Sequence, residues 1–145
     1  MPEGSRRARG EVEAAIGYRF SDAALLSLAL THPSFGQPHN ERLEFLGDAL
    51  LNLGIAAELY TRYPELREGQ LSRLRANLVR EESLARLARE LGLGQALRLG
   101  AGEGAAGGRD RDSILADALE AVIAAISLDA GTGAALEAVS RWFAR

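Results

Sequence analysis

Two short acidic clusters lie in segments that otherwise have the composition of buried helices, at residues 40–48 and 115–120. On an α-helix, at about 100° per residue, the acids of the first cluster fall within an arc of roughly 60°. The acids of the second cluster also share one helix face. Two helices with this layout could pack acidic face to acidic face. The carboxylates are Glu41, Glu44 and Asp48 in the first cluster and Asp117 and Glu120 in the second.

Each predicted helix carries an apolar stripe on the side opposite its acids. The acidic face of the first helix continues through Leu51 and Ile55, which predicts that its second half is covered as well. In the second helix the acidic face continues through Ala124 and Leu128. The apolar stripes comprise Leu43, Leu46, Leu50, Leu53 and Ala57 in the first helix and Leu115, Leu119, Val122 and Ile126 in the second.

Clustered carboxylates in a covered position are unfavourable unless a positive charge lies among them, because burial and like charges both disfavour ionisation. No Arg or Lys occurs between Ser113 and Leu128 to provide that charge locally. A hard divalent cation such as Mg²⁺ or Mn²⁺ would provide the missing positive charge. Such a cation prefers oxygen ligands, and the chain has no Cys for a thiolate site. The alternative is a pair of acidic surface stripes, neutralised by solvent or by arginines of neighbouring helices.

The elements that position these clusters are predicted to be helices throughout, in one all-α domain spanning residues 11–145. Hydrophobic residues make up 47% of the chain but aromatic residues only 6%, so the core must be built from Ala, Leu, Val and Ile. Residues 1–10 are predicted to form a flexible, solvated arm, and the glycine-rich stretch between Leu99 and Gly108 a flexible loop. The predicted helix boundaries include Ala23–Leu30 capped by Ser21, Asn40 to about Arg62, a start near Glu68, and Glu82–Leu91.

Bulk properties exclude several classes of function. There is no long apolar segment, which argues against a membrane span or a signal peptide, and the absence of Cys fits a reducing cytoplasm. The glycine-rich stretch lacks the ending of a phosphate-binding loop. His32 and His39 lack zinc-ligand spacing, and no serine has a His–Asp partner pattern. The net charge of −3 predicts weak, salt-sensitive binding to nucleic acid, although all 17 basic residues are Arg.

The sequence resembles the ribonuclease III family of double-stranded-RNA endonucleases. The signature is Asn40-Glu-Arg-Leu-Glu-Phe-Leu-Gly-Asp48, and the similarity extends over nearly the whole chain from about Glu11. A nine-residue signature followed by a correctly ordered Asp-x-x-Glu is a specific combination. Further matching segments are Leu30-Thr-His-Pro-Ser-Phe35, Glu68-Gly69, the stretch 71–80, and Ser113-Ile-Leu-Ala-Asp-Ala-Leu-Glu120.

The resemblance implies a role for each matching acidic position. It identifies Glu44, Asp48, Asp117 and Glu120 as metal-binding carboxylates, with Asp48 and Glu120 as catalytic residues. Two further acids, Glu41 and Glu68, would support the active-site valley and the dimer interface. Phe45 would insert into the partner subunit, the alternative being an aromatic side chain packed within its own core.

The function implied by this resemblance is Mg²⁺-dependent hydrolysis of phosphodiester bonds in double-stranded RNA, with Mn²⁺ as a substitute. The family forms homodimers in the cytoplasm, processes rRNA and mRNA precursors, and leaves 5′-phosphate and 3′-hydroxyl ends. Members usually carry a separate RNA-binding domain after this one, which the present sequence does not include. Two alternatives are a non-catalytic RNA-binding helical dimer and a metal-stabilised structural dimer without an RNA partner.

Overall fold

The computed structural model describes residues 3–144, and these residues form an assembly of α-helices with no strand among them. Their one β-type contact is an isolated bridge between Thr31 and Arg98. The all-α prediction is therefore confirmed. The helices are α1 (Glu3–Ile16), α2 (Ala23–Ala29), α3 (Glu41–Arg62), α4 (Glu68–Val79), α5 (Glu81–Glu90), α6 (Leu93–Ala96), α7 (Ala101–Ala105), α8 (Asp112–Ala130) and α9 (Thr132–Phe143), with 3₁₀ turns at Pro33–Phe35 and Gly108–Asp110.

Helix α8 is the centre of the fold, and α2, α3, α5 and α9 pack around it. A helix that is apolar almost all round must be covered on all sides, and every residue from Ala118 to Ile126 is buried. The apolar stripe predicted for this helix is confirmed, but Leu128, near its end, is exposed. Asp117 and Glu120 are therefore carried by the most enclosed element of the fold.

Helix α3 differs from its predicted pattern. Leu51 and Ile55 are buried, as predicted for the continuation of the acidic face. The predicted stripe, however, is only partly in the core: Leu43 and Leu50 are buried, whereas Leu53 is 51% exposed. Leu46 and Ala57 are also exposed. The core-facing side is formed instead by apolar residues and two glycines, namely Leu43, Gly47, Leu50, Leu51, Gly54, Ile55 and Leu59.

Two of the helix caps also differ from the prediction. Asp22, not Ser21, caps α2, because its carboxylate accepts a hydrogen bond from the Ala24 backbone N–H at 3.0 Å. Asn40 precedes α3, but its buried side chain makes no capping hydrogen bond there. Its amide nitrogen donates instead to the Ala29 carbonyl at 2.9 Å. This hydrogen bond joins the end of α2 to the start of α3.

The predicted N-terminal arm is helical in its described part. Residues 3–10 belong to α1, while Met1 and Pro2 lie outside the described residues. The predicted arm rested on the arginines and small residues of this segment alone. The helix forms because Val12 and Ile16, further along it, are buried and pack into the core. The indole N–H of Trp142 also donates to the Ile16 carbonyl, at 2.9 Å, which connects α1 with α9.

The glycine-rich stretch is not the loop that was predicted, since α7 occupies Ala101–Ala105 and a 3₁₀ turn begins at Gly108. The reason is a local packing contact. Glu103 of α7 lies against Gly108, where a Cβ atom would be only 2.7 Å from the Glu103 Cγ. The Glu103 carboxylate also pairs with the Arg111 guanidinium at 3.1 Å. Tertiary contacts therefore outweigh the low helix propensity of glycine. No helix in the described part of the chain is long and apolar enough to cross a membrane.

Candidate metal-binding site

The site forms where α3 and α8 cross at unusually short distance. Gly47 of α3 faces the α8 backbone, and a Cβ atom there would overlap the carbonyl group of Glu120. About two helical turns further on, a Cβ at Gly54 would be 2.9 Å from the Val139 Cγ1 in α9. The absence of side chains at these two positions lets the backbones approach. The crossing brings the acidic faces of α3 and α8 together, as the helical spacing predicted.

Three carboxylates meet at this crossing. One oxygen each from Glu44, Asp117 and Glu120 lies within 4.8 Å of the others, an arrangement that could hold a metal ion. Glu44 and Asp117 are partly buried, whereas Glu120 is only 8% exposed. A side chain that is fully charged and so well covered would lose much of its hydration, so a partner or a proton is required.

The other predicted site residues lie outside this group of three carboxylates. Asp48 is exposed on the next turn of α3, yet it is close enough to share a hydrogen bond with Glu120. Glu41, also exposed, acts on Glu44 through its charge. Glu68 does not join the cluster, since it begins α4 and accepts a hydrogen bond from the Ser72 hydroxyl at 2.7 Å. Phe45 lies beside the cluster on α3 with 84% of its surface exposed.

The electrostatics of the cluster favour protonation. Burial, followed by a hydrogen bond with Asp48 and the charges of the other acids, raises the pKa of Glu120 to about 9. Burial and the charge and hydrogen bond of Asp117 raise the pKa of Glu44 to about 7. Burial also raises the pKa of Asp117, although the hydrogen bond with Glu44 and the charge of His32 oppose the shift. Without a cation, at least one proton is therefore held in the cluster at neutral pH.

This donor set fits a hard divalent cation. All of its ligand atoms are carboxylate oxygens, which Mg²⁺ and Mn²⁺ prefer, and no softer ligand belongs to the group. A dication would take the place of the shared protons, because its charge favours the ionised forms that burial disfavours. Perturbed pKa values in a cluster of this kind are typical of functional sites.

His32 is a residue of this site that the sequence analysis did not assign to it. Its charge acts on Asp117, and its Nδ1 accepts a hydrogen bond from the Ser34 backbone N–H at 3.0 Å. The Ser34 hydroxyl in turn accepts from the Gly100 backbone N–H at 2.9 Å. The available signal was its place in the segment Leu30–Phe35, but sequence spacing cannot show which helix such a turn faces.

The pKa shifts predict that the metal-free protein loses stability as the pH rises. The unfolded chain releases the protons of Glu44 and Glu120 near pH 4.5, whereas the folded chain keeps them until about pH 7 and about pH 9. Between these values the folded state binds more protons, so the free energy of unfolding falls with pH. We expect a loss of about 3 kcal/mol between pH 6 and pH 8.5, mostly from the buried Glu120 because solvent screens the more exposed Glu44. Urea unfolding in EDTA measures it.

The variant Glu120→Gln provides the control for this effect, since the amide has the same shape and no proton to release. Its free energy of unfolding should depend less on pH than that of the parent, and the two curves should diverge above pH 6. Parallel curves for parent and variant would contradict the assignment of the raised pKa to Glu120.

Comparisons with known proteins agree with this geometry. A family model described as Ribonuclease-III-like matches residues 22–145. The chain is 60% identical over 131 residues to Ribonuclease 3 of Pseudomonas fluorescens and 60% identical over 129 residues to Ribonuclease 3 of Dechloromonas aromatica. These alignments cover 90% and 89% of this chain but only 57% and 58% of those proteins. The chain therefore spans little more than half the length of these curated relatives.

A solved structure is similar over almost its whole length. It is the nuclease domain of ribonuclease III from Campylobacter jejuni, described as flexible in a region involved in dimer formation. The TM-score is 0.88 with 45% sequence identity, and the alignment covers 91% of this chain and 93% of that chain. The sequence-based family assignment is thus confirmed.

Proposed function

The chain belongs to the ribonuclease-III-like family, and from this premise we propose that it is a metal-dependent endoribonuclease that hydrolyses double-stranded RNA. The observation that carries the proposal is the convergence of Glu44, Asp117 and Glu120 at the crossing of α3 and α8. A scaffold has no need of three carboxylates whose pKa values are all raised inside the fold. A divalent cation gives this arrangement a chemical purpose.

The chain's own residues would contribute in three ways. Glu44, Asp117 and Glu120 would hold Mg²⁺, with Mn²⁺ as a substitute, and Asp48 would complete the set through its hydrogen bond with Glu120. Glu41 would add negative charge beside Glu44, and Glu68 would act from α4 in a supporting role. His32 would favour the ionised form of Asp117 through its charge.

The bound cation would supply two kinds of assistance, namely a lower pKa for a nearby water and neutralisation of the charge that develops on the phosphate and the leaving oxygen. Asp48 and Glu120 are the acids we assign to catalysis. The products would carry 5′-phosphate and 3′-hydroxyl ends. We place the reaction in the cytoplasm, on precursors of rRNA and mRNA.

Cleavage of duplex RNA is the expected result when the chain is incubated at low salt with a long, fully paired RNA and Mg²⁺. The same RNA should remain intact in EDTA, because the carboxylates alone cannot activate water. Single-stranded RNA of the same sequence and duplex DNA serve as controls for substrate class. A-form RNA is recognised by its shape and its 2′-hydroxyl groups, so both should be cut far more slowly.

Equal cleavage of single-stranded RNA would contradict the duplex specificity. Intact duplex RNA in the presence of Mg²⁺ would favour one of the two non-catalytic alternatives. Gel-shift binding to the same duplex then separates them: binding without cleavage indicates an RNA-binding dimer, and no binding at all indicates a structural one.

We also propose that the protein is a homodimer that associates through the outward face of α3. This face carries large apolar side chains in contact with solvent, with Phe45 84%, Tyr60 77% and Leu53 51% exposed. Leu46 lies beside them, also exposed. Exposed apolar side chains on one helix face are typical of an interaction site, and a partner subunit on this face would explain the leucines left outside the core.

Replacing Phe45 with Glu should weaken this dimer by at least about tenfold, since a buried aromatic anchor contributes on the order of 2 kcal/mol or more to an interface. Sedimentation velocity over a concentration series measures the shift toward monomer. Leu128→Glu is the matched control, because Leu128 is also an exposed apolar residue but lies near the end of α8. A dimer of parental affinity in Phe45→Glu would contradict the proposed interface.

A further inference from the structure

A second concave feature lies outside the acidic cluster. A cavity of about 390 Å³ opens between α2 and the turn 33–38, a volume within the range of about 300–1,000 Å³ that is typical of small-ligand pockets. Its lining is mixed. Ser27 and Leu28 of α2 form one side, and Gln37 lies on the turn. Phe35 and Arg98, which contact each other, form another side.

The most distinctive part of this lining is the pair formed by Phe35 and Arg98. The Arg98 guanidinium carbon lies 4.5 Å from the centre of the Phe35 ring, in cation–π geometry. The Phe35 side chain is nevertheless 50% exposed. Within the described residues no carboxylate pairs with Arg98. The pair therefore presents an aromatic surface and an uncompensated positive charge to the same cavity.

This pair is held in place by backbone hydrogen bonds rather than by its own side chains. The Arg98 N–H donates to the Leu30 carbonyl at 2.8 Å, and the His32 N–H donates to the Arg98 carbonyl at 3.0 Å. The Thr31 carbonyl accepts from the Asn40 N–H at 2.9 Å. Side-chain substitutions at Arg98 leave these bonds in place, so the position can be altered without removing the bridge.

The same short segment contributes to the cavity and to the surroundings of the acidic cluster. Thr31 lines the cavity, and the next residue, His32, is near enough to Asp117 for its charge to act on that carboxylate. The lining of the cavity is therefore continuous along the chain with a residue whose charge acts on the acidic cluster.

We propose that this cavity binds one unpaired nucleotide of an RNA strand, with the base on the Phe35 ring and the phosphate at the Arg98 guanidinium. The proposal rests on the proposed function, since the bound strand is that of the RNA substrate. A base inside a duplex is covered on both faces, so an exposed ring can stack only on a base that is unpaired. Stacking on an aromatic residue beside an Arg is the usual chemistry for such nucleotides.

The test compares two RNA duplexes of the same sequence, one blunt and one with a short single-stranded 3′ extension. Fluorescence anisotropy in EDTA measures binding without cleavage. The parent should bind the extended duplex about 5- to 10-fold more tightly, the lower part of the range for stacking of one base. In Phe35→Leu and Arg98→Gln this advantage should fall below about twofold.

Arg86→Gln is the matched control, because Arg86 is an exposed arginine on α5 away from the cavity lining. It removes the same charge and should keep the full advantage of the extended duplex. A 4-thiouridine at the first unpaired position should crosslink to the peptide containing Phe35 or to that containing Arg98. Thermal unfolding of both variants checks that each is folded.

Equal affinity of the parent for the two duplexes would overturn the proposal, as would an undiminished advantage in both folded variants. These outcomes are distinguishable from failure of the proposed function. If the parent cuts blunt duplex RNA in Mg²⁺ but shows no preference for the extension, only the nucleotide site is wrong. If it shows the preference and the crosslink but cuts nothing, the nucleotide site stands and the nuclease assignment is wrong.

Discussion

Replacing Glu120 with Gln is expected to reduce the rate of duplex RNA cleavage by a factor of at least about 100, comparable to the loss of one preorganised electrostatic group in other enzymes. Glu120 is the most buried of the acids and interacts with Asp48, Glu44 and Asp117. The amide of Gln keeps the shape of the Glu120 side chain but cannot supply the negative charge that a divalent cation needs. The measurement is a single-turnover rate on one labelled duplex at saturating Mg²⁺.

Loss of activity in this variant should not reflect unfolding. Because the parent carboxylate is difficult to ionise where it lies, the neutral amide should leave the metal-free fold as stable as before or more stable at pH 8. Glu137→Gln, a change of an exposed acid on α9, is the control and should cleave at the parental rate. Parental cleavage by a folded Glu120→Gln would remove this residue from the mechanism.

Replacing Gly47 with Ala should destabilise the protein by at least about 3 kcal/mol, a large part of the stability of a domain this size. The added Cβ would overlap the Glu120 backbone carbonyl. A flexible side chain could move aside, but here two helix backbones must separate. Since the same crossing brings the three carboxylates together, cleavage should fall along with stability. Urea unfolding and the duplex assay measure the two effects.

The matched control is Gly10→Ala. Gly10 lies within α1, and a Cβ atom there would have nothing within 4 Å. This change should be neutral or stabilising by about 0.5–1 kcal/mol, because Ala is the better helix former. If Gly47→Ala were as stable as Gly10→Ala, the close approach of α3 and α8 would not be required for the fold.

The helical spacing of the acids predicted much of the site, because α3 and α8 are long enough for their faces to be defined by sequence alone. The spacing could not predict which of these acids would come close enough to one another to share a metal ion. Glu41, Glu44 and Asp48 share one face of α3, yet only Glu44 is in the three-carboxylate group, since that depends on where Gly47 allows α8 to approach. Sequence patterns treat glycine as a helix breaker, whereas here it permits contact.

The apolar pattern was less informative about what covers each residue. Leu50 and Leu53 are equivalent in helical spacing, but one faces the core and the other faces solvent on the outward side of α3. Hydrophobicity alone does not distinguish a core from a surface that a second subunit would cover. Likewise, the composition of residues 99–108 predicted a loop, whereas the structure has α7 there. The packing of Glu103 against Gly108 favours this helix, and composition alone does not show that contact.

Titration of the protein with Mn²⁺, followed by electron paramagnetic resonance, tests most directly whether the α3–α8 crossing holds a divalent cation. Mn²⁺ is a spectroscopic substitute for Mg²⁺ with the same preference for oxygen ligands. We expect specific binding by the parent and a loss of at least about tenfold in affinity in Glu120→Gln, because one charged ligand is removed. Absence of specific binding by the parent, or equal binding by parent and variant, would contradict this expectation.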